Sequence, residues 1–308
     1  VRLKDMEKTE KIWIDGEFVD WNDAKVHVLA HALNYGTGVF EGIRVYETPK
    51  GLAVFRLKEH VKRLLDGCKV MGFDLPYTAE EVRKAIKDTV RINGKVDYVK
   101  PCAFLCGEAV GLNPINVPLK FTITAVYLGS YLGKDAQEKG ATLITSSWFR
   151  PWNLAAPSGA KVNGIYVTSC LAKMEAKKRG ADEAVMLNAQ GNIAECSGEN
   201  IFIFKRGKIY TPKTADSILE GITRNSIMEI ARDMGYDVVE TEISRIDMYT
   251  ADEVFMTGTA AEVTSATKID DRLVGDGKPG NVGKELAARY ADIVRGKDPK
   301  YDKWLDRV

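Results

Sequence analysis

The chain predicts a mixed α+β fold in two domains, and three observations carry that expectation. Turn-forming sets at Asp15–Gly16, Pro49–Lys50–Gly51 and Arg206–Gly207 each join two short apolar runs, which reads as antiparallel hairpins. Helical stripes fall between groups of strands instead of after every strand, which argues against a βαβ series. No Gly-x-Gly-x-x-Gly opens a helix after the first strand, so the dinucleotide-binding architecture is not expected. With 308 residues the chain is long enough for two cores. We expect a smaller domain over 1–128, a connection over 129–139 and a larger domain over 140–308.

Taken in order, Lys11–Phe18 reads as a hairpin around Asp15–Gly16. Val39–Tyr46 and Leu52–Phe55 are strands facing each other across the Pro49–Lys50–Gly51 turn. Leu57, Val61, Leu64, Leu65, Cys68 and Met71 have helical spacing, and so does Thr78–Asn93. There Thr78 takes the N-cap position and Glu81 the reciprocal capping position. Tyr98–Leu105 and Lys120–Leu128 are strands, and Gly129–Lys139 is the connection. Beyond it Ala141–Ser147 is a strand, Trp148–Pro157 is irregular, Asn163–Arg179 is a helix and Glu183–Leu187 a strand. Asn200–Phe204 and Lys208–Thr211 form a hairpin. Thr223–Met234 is a helix stopped by Gly235, Val238–Glu242 and Glu253–Gly258 are strands, and Val282–Ile293 is the last long helix.

Composition excludes several classes. The 44 basic and 43 acidic residues leave a net charge of +1, with no basic block for nucleic acid or an anionic membrane. No apolar run reaches a membrane-spanning length, and no apolar leader opens the sequence, so a cytoplasmic location is expected. Five scattered cysteines do not suggest a disulfide scaffold. Cys102 and Cys106 lack the second pair or nearby histidine that a metal site needs, so no metal is expected. The three histidines, His27, His31 and His60, lie early in the chain with no nucleophile-elbow motif to partner them.

Chemistry concentrates in the second half. Lys161 stands in the otherwise uncharged segment Ala160–Tyr166 at the approach to a helix. Partial desolvation and the helix end would suit its amine to attack an aldehyde. Tyr166 offers a phenol five residues on. Glu195, with Glu199 as a competing candidate, offers a carboxylate for a pyridine nitrogen. Gly221–Ile222–Thr223–Arg224 opens a helix whose N–H groups suit a phosphate, and Thr257–Glu262 supplies a second cluster of N–H and hydroxyl donors. Arg63 would add a full positive charge. Each feature alone has an ordinary structural explanation. Together they are the equipment for pyridoxal 5′-phosphate.

The ordered segments Ala24–His27, His31–Gly36, Val39–Arg44, Ser197–Phe202, Leu219–Arg224 and Ala251–Glu262 resemble the branched-chain amino acid aminotransferases. These are class IV (fold-type IV) pyridoxal phosphate enzymes with a D-amino acid aminotransferase-like fold, and the resemblance runs from about Ile12 to Trp304. It implies that Lys161 is the catalytic lysine, bonded to the cofactor aldehyde and moving the proton at the substrate Cα. Arg63, Gly221, Ile222, Thr223, Gly258 and Thr259 are implied to hold the phosphate. Tyr166 is implied on the ring oxygen, Glu195 on the ring nitrogen and Leu219 against the ring. For the substrate it implies the Thr259–Ala260 turn with Tyr98 at the α-carboxylate, Ala261 beside it, and an apolar pocket of Tyr35, Phe40, Gly42 and Tyr131. Val110 and Leu112, like Tyr35, are implied to come from a neighbouring subunit. The family commonly has arginine where this chain has Lys100, which keeps the charge and loses the bidentate fork. Arg44 either assists there or buttresses the site. Leu128 stands where the family often has tryptophan.

The implied reaction converts leucine, isoleucine or valine to the branched 2-oxo acid, leaves pyridoxamine 5′-phosphate, and passes the amine to 2-oxoglutarate to give L-glutamate. The alternatives within the fold are an (R)-selective amine or D-amino acid aminotransferase, and aminodeoxychorismate lyase. From another class, a non-catalytic binding protein would share the composition but would not need the lysine and the phosphate contacts together. A homodimer is the minimum assembly implied, and a hexamer (a trimer of dimers) is the larger option. The Lys- and Glu-rich surface is compatible with a heat-stable source.

Overall fold

The structure, a computed structural model, describes residues 6–108, 110–129 and 134–308. In chain order the elements are β1 (Lys11–Ile14), β2 (Glu17–Asp20), α1 (His31–Tyr35), β3 (Gly38–Phe40), β4 (Ile43–Thr48), β5 (Gly51–Phe55), α2 (Leu57–Met71), α3 (Ala79–Asn93), β6 (Tyr98–Leu105) and β7 (Leu119–Val126). There follow α4 (Lys134–Lys139), β8 (Ala141–Thr145), α5 (Tyr166–Lys178), β9 (Glu183–Leu187), β10 (Ile193–Cys196), β11 (Asn200–Lys205), β12 (Lys208–Thr211) and α6 (Ile222–Asp233). The last are β13 (Asp237–Glu240), α7 (Arg245–Tyr249), β14 (Glu253–Gly258), β15 (Glu262–Ile269), β16 (Arg272–Leu273), α8 (Asn281–Val294) and β17 (Leu305–Arg307). Among the described residues no helix is long and apolar enough to cross a membrane.

Two compact units result. The first comprises Val1–Gly129, Ala160–Gly164 and Ile293–Val308; the second comprises Ser130–Gly159 and Ile165–Asp292. The second unit takes in 130–139, which was expected as a separate connection, and two segments of the expected 140–308 domain fall in the first unit. Ala160–Gly164 joins the first unit because the Phe40 N–H donates to the Lys161 carbonyl (3.1 Å), the Gly164 N–H to the Gly36 carbonyl (3.0 Å), and Val162 bridges Val39. The C-terminal tail joins it because β17 pairs with β5. There the buried Trp304 meets Phe55 edge-on at 5.9 Å and lies under the Arg56 guanidinium at 4.8 Å.

In the first unit the sheet runs β17-β5-β4-β6-β7-β1-β2, with β3 also on β6, and every pairing is antiparallel. The Asp15–Gly16 hairpin forms as the sequence predicts, with positive φ at both turn residues. Leu57, Val61, Leu64 and Cys68 of α2, and Val82, Ile86 and Val90 of α3, form the buried stripes their spacing announces. The capping box closes as expected, Glu81 N–H to Thr78 Oγ1 (3.3 Å) and Thr78 N–H to Glu81 Oε2 (2.7 Å). The expected Val39–Tyr46 strand, however, is two strands in one register on β6. The break falls at Glu41–Gly42, where Pro101 accepts from the Glu41 N–H (2.9 Å) but has no N–H to return.

The second unit holds the sheet β10-β9-β8-β15-β14-β11-β12-β13, with β16 on β15. It is mixed: β8 runs parallel to both β9 and β15, β12 runs parallel to β13, and the other pairs are antiparallel. Leu143, Val185, Ile193, Ile201, Val254 and Met256 anchor one apolar cluster, and Ile144, Ala172, Ala176 and Met186 belong to another. Three strands here, β10, β15 and the two-residue β16, were not expected from the sequence. In β10, Glu195 occupies a buried strand position just beyond the turn that follows β9. In β15, a run of Thr, Ser and Lys among small apolar residues hides the alternation. The helix expected from Asn163 begins as a 3₁₀ turn over Asn163–Ile165, so Lys161 lies ahead of helical structure and α5 proper starts at Tyr166.

Candidate active site

In the first unit the site candidates gather on the interrupted strand Phe40–Glu41–Gly42. The Lys161 ammonium lies 4.8 Å from the centre of the Phe40 ring, and the Lys100 ammonium lies 5.1 Å from the same ring. One aromatic ring thus serves two cations, a cation–π arrangement that sets amines against an apolar surface. Next along the strand, Glu41 is fully buried and receives the Arg63 fork, Nε to Oε1 at 2.6 Å and Nη2 to Oε2 at 2.9 Å. His60, also buried, donates from Nδ1 to Glu41 Oε2 at 2.8 Å, because an ionised carboxylate can only accept. Burial pushes the Glu41 carboxyl up, but the Arg63 charge and His60 outweigh it and hold the group well below the usual carboxylate range. Burial dominates for His60 and lowers its pKa, so the imidazole stays neutral. Gly42 then gives Tyr98 its place: a Cβ on Gly42 would meet the Tyr98 hydroxyl at 2.0 Å.

Other substrate-side candidates fall elsewhere in this unit. Arg44 is buried and directs its guanidinium to Asp97 Oδ2 and the Gly129 carbonyl, both at 2.8 Å. Asp97 also accepts from the N–H groups of Leu128 (2.6 Å) and Gly129 (3.0 Å), so Arg44 buttresses the end of this segment. Tyr35 is on α1 beside His31 (ring centres 4.6 Å apart), and its hydroxyl accepts from the Gly111 N–H at 3.3 Å. Tyr35 is therefore grouped with the exposed Val110 and Leu112. Tyr131 lies outside the described residues.

In the second unit Glu195 on β10 is nearly buried and enclosed by donors. Arg150 Nε stands 2.9 Å from its Oε1; the Asn200 amide (2.9 Å) and the Leu219 N–H (3.0 Å) donate to its Oε2. Asn200 also donates to the Leu219 carbonyl at 2.9 Å, which ties the approach to α6 to the carboxylate. Glu199, the competing candidate, is pushed well above the carboxylate range, first by burial and then by the Glu183 charge. That favours its neutral form and makes it the poorer partner for a cationic ring nitrogen. Sequence reasoning missed Arg150, Glu41 and His60. Arg150 is 45 residues from Glu195 in the chain, and no local pattern marks it.

Gly221 caps α6, and the first helical bond runs from the Asn225 N–H to the Gly221 carbonyl (2.9 Å). The N–H groups of Ile222 and Thr223 therefore have no acceptor within the helix, the usual condition of a helix start. A Cβ at Gly221 would fall 1.9 Å from Asn200 Oδ1. We expect Gly221→Ala to displace the buried Asn200 and to cost about 1–3 kcal/mol in urea unfolding. An unchanged midpoint would show that this close approach is not needed. Tyr166 opens α5, half-buried. Gly258 ends β14, and Thr259, Ala260 and Ala261 form the turn into β15, held by the Thr264 hydroxyl on the Ala261 carbonyl at 2.9 Å. The first unit thus offers an amine and a guanidinium, and the second an anchored carboxylate, a phenol and a helix start, each a group of the type that an aldehyde-bearing pyridine with a phosphate arm calls for.

The sequence profile of the amino-transferase class IV family matches residues 38–269. A branched-chain-amino-acid aminotransferase of Pseudomonas aeruginosa is 45% identical over 298 residues, 96% of this chain and 97% of that protein. Among solved structures, a T.th. branched-chain amino acid aminotransferase with pyridoxamine 5′-phosphate superposes with a TM-score of 0.94 at 49% identity. That match covers 97% of this chain and 99% of the other. The same T.th. protein complexed with N-(5′-phosphopyridoxyl)-L-glutamate gives 0.92 at 47%, with the same coverage.

Proposed function

The chain belongs to the class IV aminotransferases, in the branched-chain-amino-acid aminotransferase family, and on that premise we infer that it transfers the α-amino group of leucine, isoleucine or valine to 2-oxoglutarate. The products are the branched 2-oxo acid and L-glutamate, and the cofactor is pyridoxal 5′-phosphate, alternating with pyridoxamine 5′-phosphate. The observation that carries this reading is the Lys161 nitrogen held 4.8 Å from the centre of the Phe40 ring, beside an apolar surface.

Arg63 and the Ile222–Thr223 helix start would hold the phosphate, with Thr259 adding a hydroxyl. Tyr166 would donate to the ring oxygen, and Leu219 would pack on the ring. Glu195 would keep the ring nitrogen protonated, and the Arg150 guanidinium 2.9 Å away orients that carboxylate. When bound, the cofactor supplies an electron sink for the pair released as the substrate Cα–H bond breaks. Lys161 would take that proton and pass it to the carbon that was the cofactor aldehyde, and would carry a proton the opposite way, from that carbon to Cα, in the second half of the cycle. Tyr98 and the Thr259–Ala260 turn would bind the substrate carboxylate. Phe40 would receive the branched side chain, where one methylene is worth about 1–3 kcal/mol, so the three substrates should overlap. Lys100, over the same ring, would meet the distal carboxylate of 2-oxoglutarate. The exposed Val26, Val28, Leu33, Val110 and Leu112 support assembly as at least a dimer.

The test is a paired assay on cofactor-loaded protein, L-leucine with 2-oxoglutarate against (R)-1-phenylethylamine with pyruvate. Fast glutamate formation is expected. Turnover of the (R)-amine without glutamate would overturn the reading in favour of an amine aminotransferase.

A further inference from the structure

We propose that Glu41, supported by His60, is the positioning residue for Arg63, setting the plane of its guanidinium for a phosphate. The proposal rests on the reading that Arg63 holds the cofactor phosphate. A guanidinium has two edges able to take a bidentate oxyanion partner. Glu41 occupies the Nε–Nη2 edge, and in doing so it sets the direction of the Nη1–Nη2 edge, the one that suits a phosphate. An arginine on α2 would otherwise sample many rotamers, and ordering it at binding would lower affinity. The carboxylate that orders it is held in turn. Its backbone N–H is fixed on the Pro101 carbonyl, and its Oε2 accepts from the neutral imidazole of His60 and from the Gly42 N–H at 3.3 Å.

The placement of Glu41 is specific to this break in the sheet. Phe40, one residue before, holds the Lys161 carbonyl through its N–H and the Lys161 ammonium through its ring. Gly42, one residue after, makes room for the Tyr98 hydroxyl. The missing donor at Pro101 interrupts the strand at Glu41. The same tripeptide therefore sets the positions of the amine, the phosphate-binding cation and the phenol of this unit. His60 needs no charge for this role: as a neutral donor it satisfies the carboxylate without competing with Arg63 for it.

The experiment compares pyridoxal 5′-phosphate with pyridoxal, which lacks the phosphate, as ligands of the full-length protein freed of cofactor, by absorbance titration. For Glu41→Gln we expect affinity for pyridoxal 5′-phosphate to fall about tenfold to a hundredfold, the range for losing a charged hydrogen bond, while pyridoxal affinity stays within about threefold. Arg63→Gln is the reference and should show the same phosphate-specific loss. Should Glu41→Gln fail to fold, His60→Leu takes its place, with a phosphate-specific loss of about threefold to tenfold that His60→Gln, still an amide donor, restores. Equal losses for both ligands, or none, in the Glu41 and His60 variants alongside a phosphate-specific loss in Arg63→Gln would overturn the positioning role. No phosphate-specific loss in Arg63→Gln itself would overturn the reading of Arg63, and the proposal with it.

Discussion

Replacing Lys161 by alanine is expected to lower kcat for leucine by about 10⁵-fold, the scale seen when the group acting as nucleophile and base is removed. The fold should survive. Lys161 is held in the first unit through its carbonyl, which accepts from the Phe40 N–H, and its neighbour Val162 bridges Val39. Neither contact uses the Lys161 side chain. The melting temperature should therefore stay close to that of the parent, and pyridoxal 5′-phosphate should still bind through its phosphate. Lys161→Arg separates charge from amine chemistry. It can keep a cation on the Phe40 ring but cannot act as the amine, so it should be as inactive as the alanine variant. Residual activity within about a hundredfold of the parent in either variant would remove Lys161 from the proton-transfer step, since a positioned acid or base contributes about that much or more.

The second large effect concerns a residue that touches Glu195 and that sequence reading did not single out. Arg150 and Glu195 have side chains only 4% and 8% exposed, so their ion pair is shielded from water. Arg150→Met removes the cation and leaves a carboxylate in a low-dielectric setting, at a cost of about 3–5 kcal/mol of folding stability. It also leaves the carbonyls of Ser217 and Ser158 without the donors that now reach them, each at 3.2 Å. Arg150→Met/Glu195→Gln should recover part of that stability, because the uncompensated charge is gone, and should not recover activity. Urea unfolding of the two single variants and the double variant closes the cycle. Additive losses would show that the pair is not coupled, and the role given to Arg150 would fail.

Both predictions depend on information that sits at different depths in the chain. Lys161 stands out locally as a lone charge in an uncharged stretch, and Gly221–Ile222–Thr223 announces a helix start. The capping box at Thr78 and Glu81 and the turn at Asp15–Gly16 are equally local and form as written. Glu195 against Glu199 could not be decided locally. Both are acidic residues in one short segment, and they differ only in what surrounds them: Arg150 beside one, the Glu183 charge beside the other. β15 escaped notice because polar side chains occupy buried positions such as Thr264 and Thr267, and only pairing with β14 and β8 explains them.

By itself the sequence determined the class of fold, the two capped or amphipathic helices of the first unit, the family and the residue types available for chemistry. Those follow from hydrogen bonds and apolar periodicities spanning a few residues. Only the tertiary structure decided that Ala160–Gly164 and the tail after Asp292 belong with the N-terminal unit, that Pro101 breaks the strand at Glu41, and that Glu41 meets Arg63 and His60 while Arg150 meets Glu195. The reason is physical. A buried charge is tolerable only beside a partner, and that partner can come from any part of the chain that packing brings within about 3 Å.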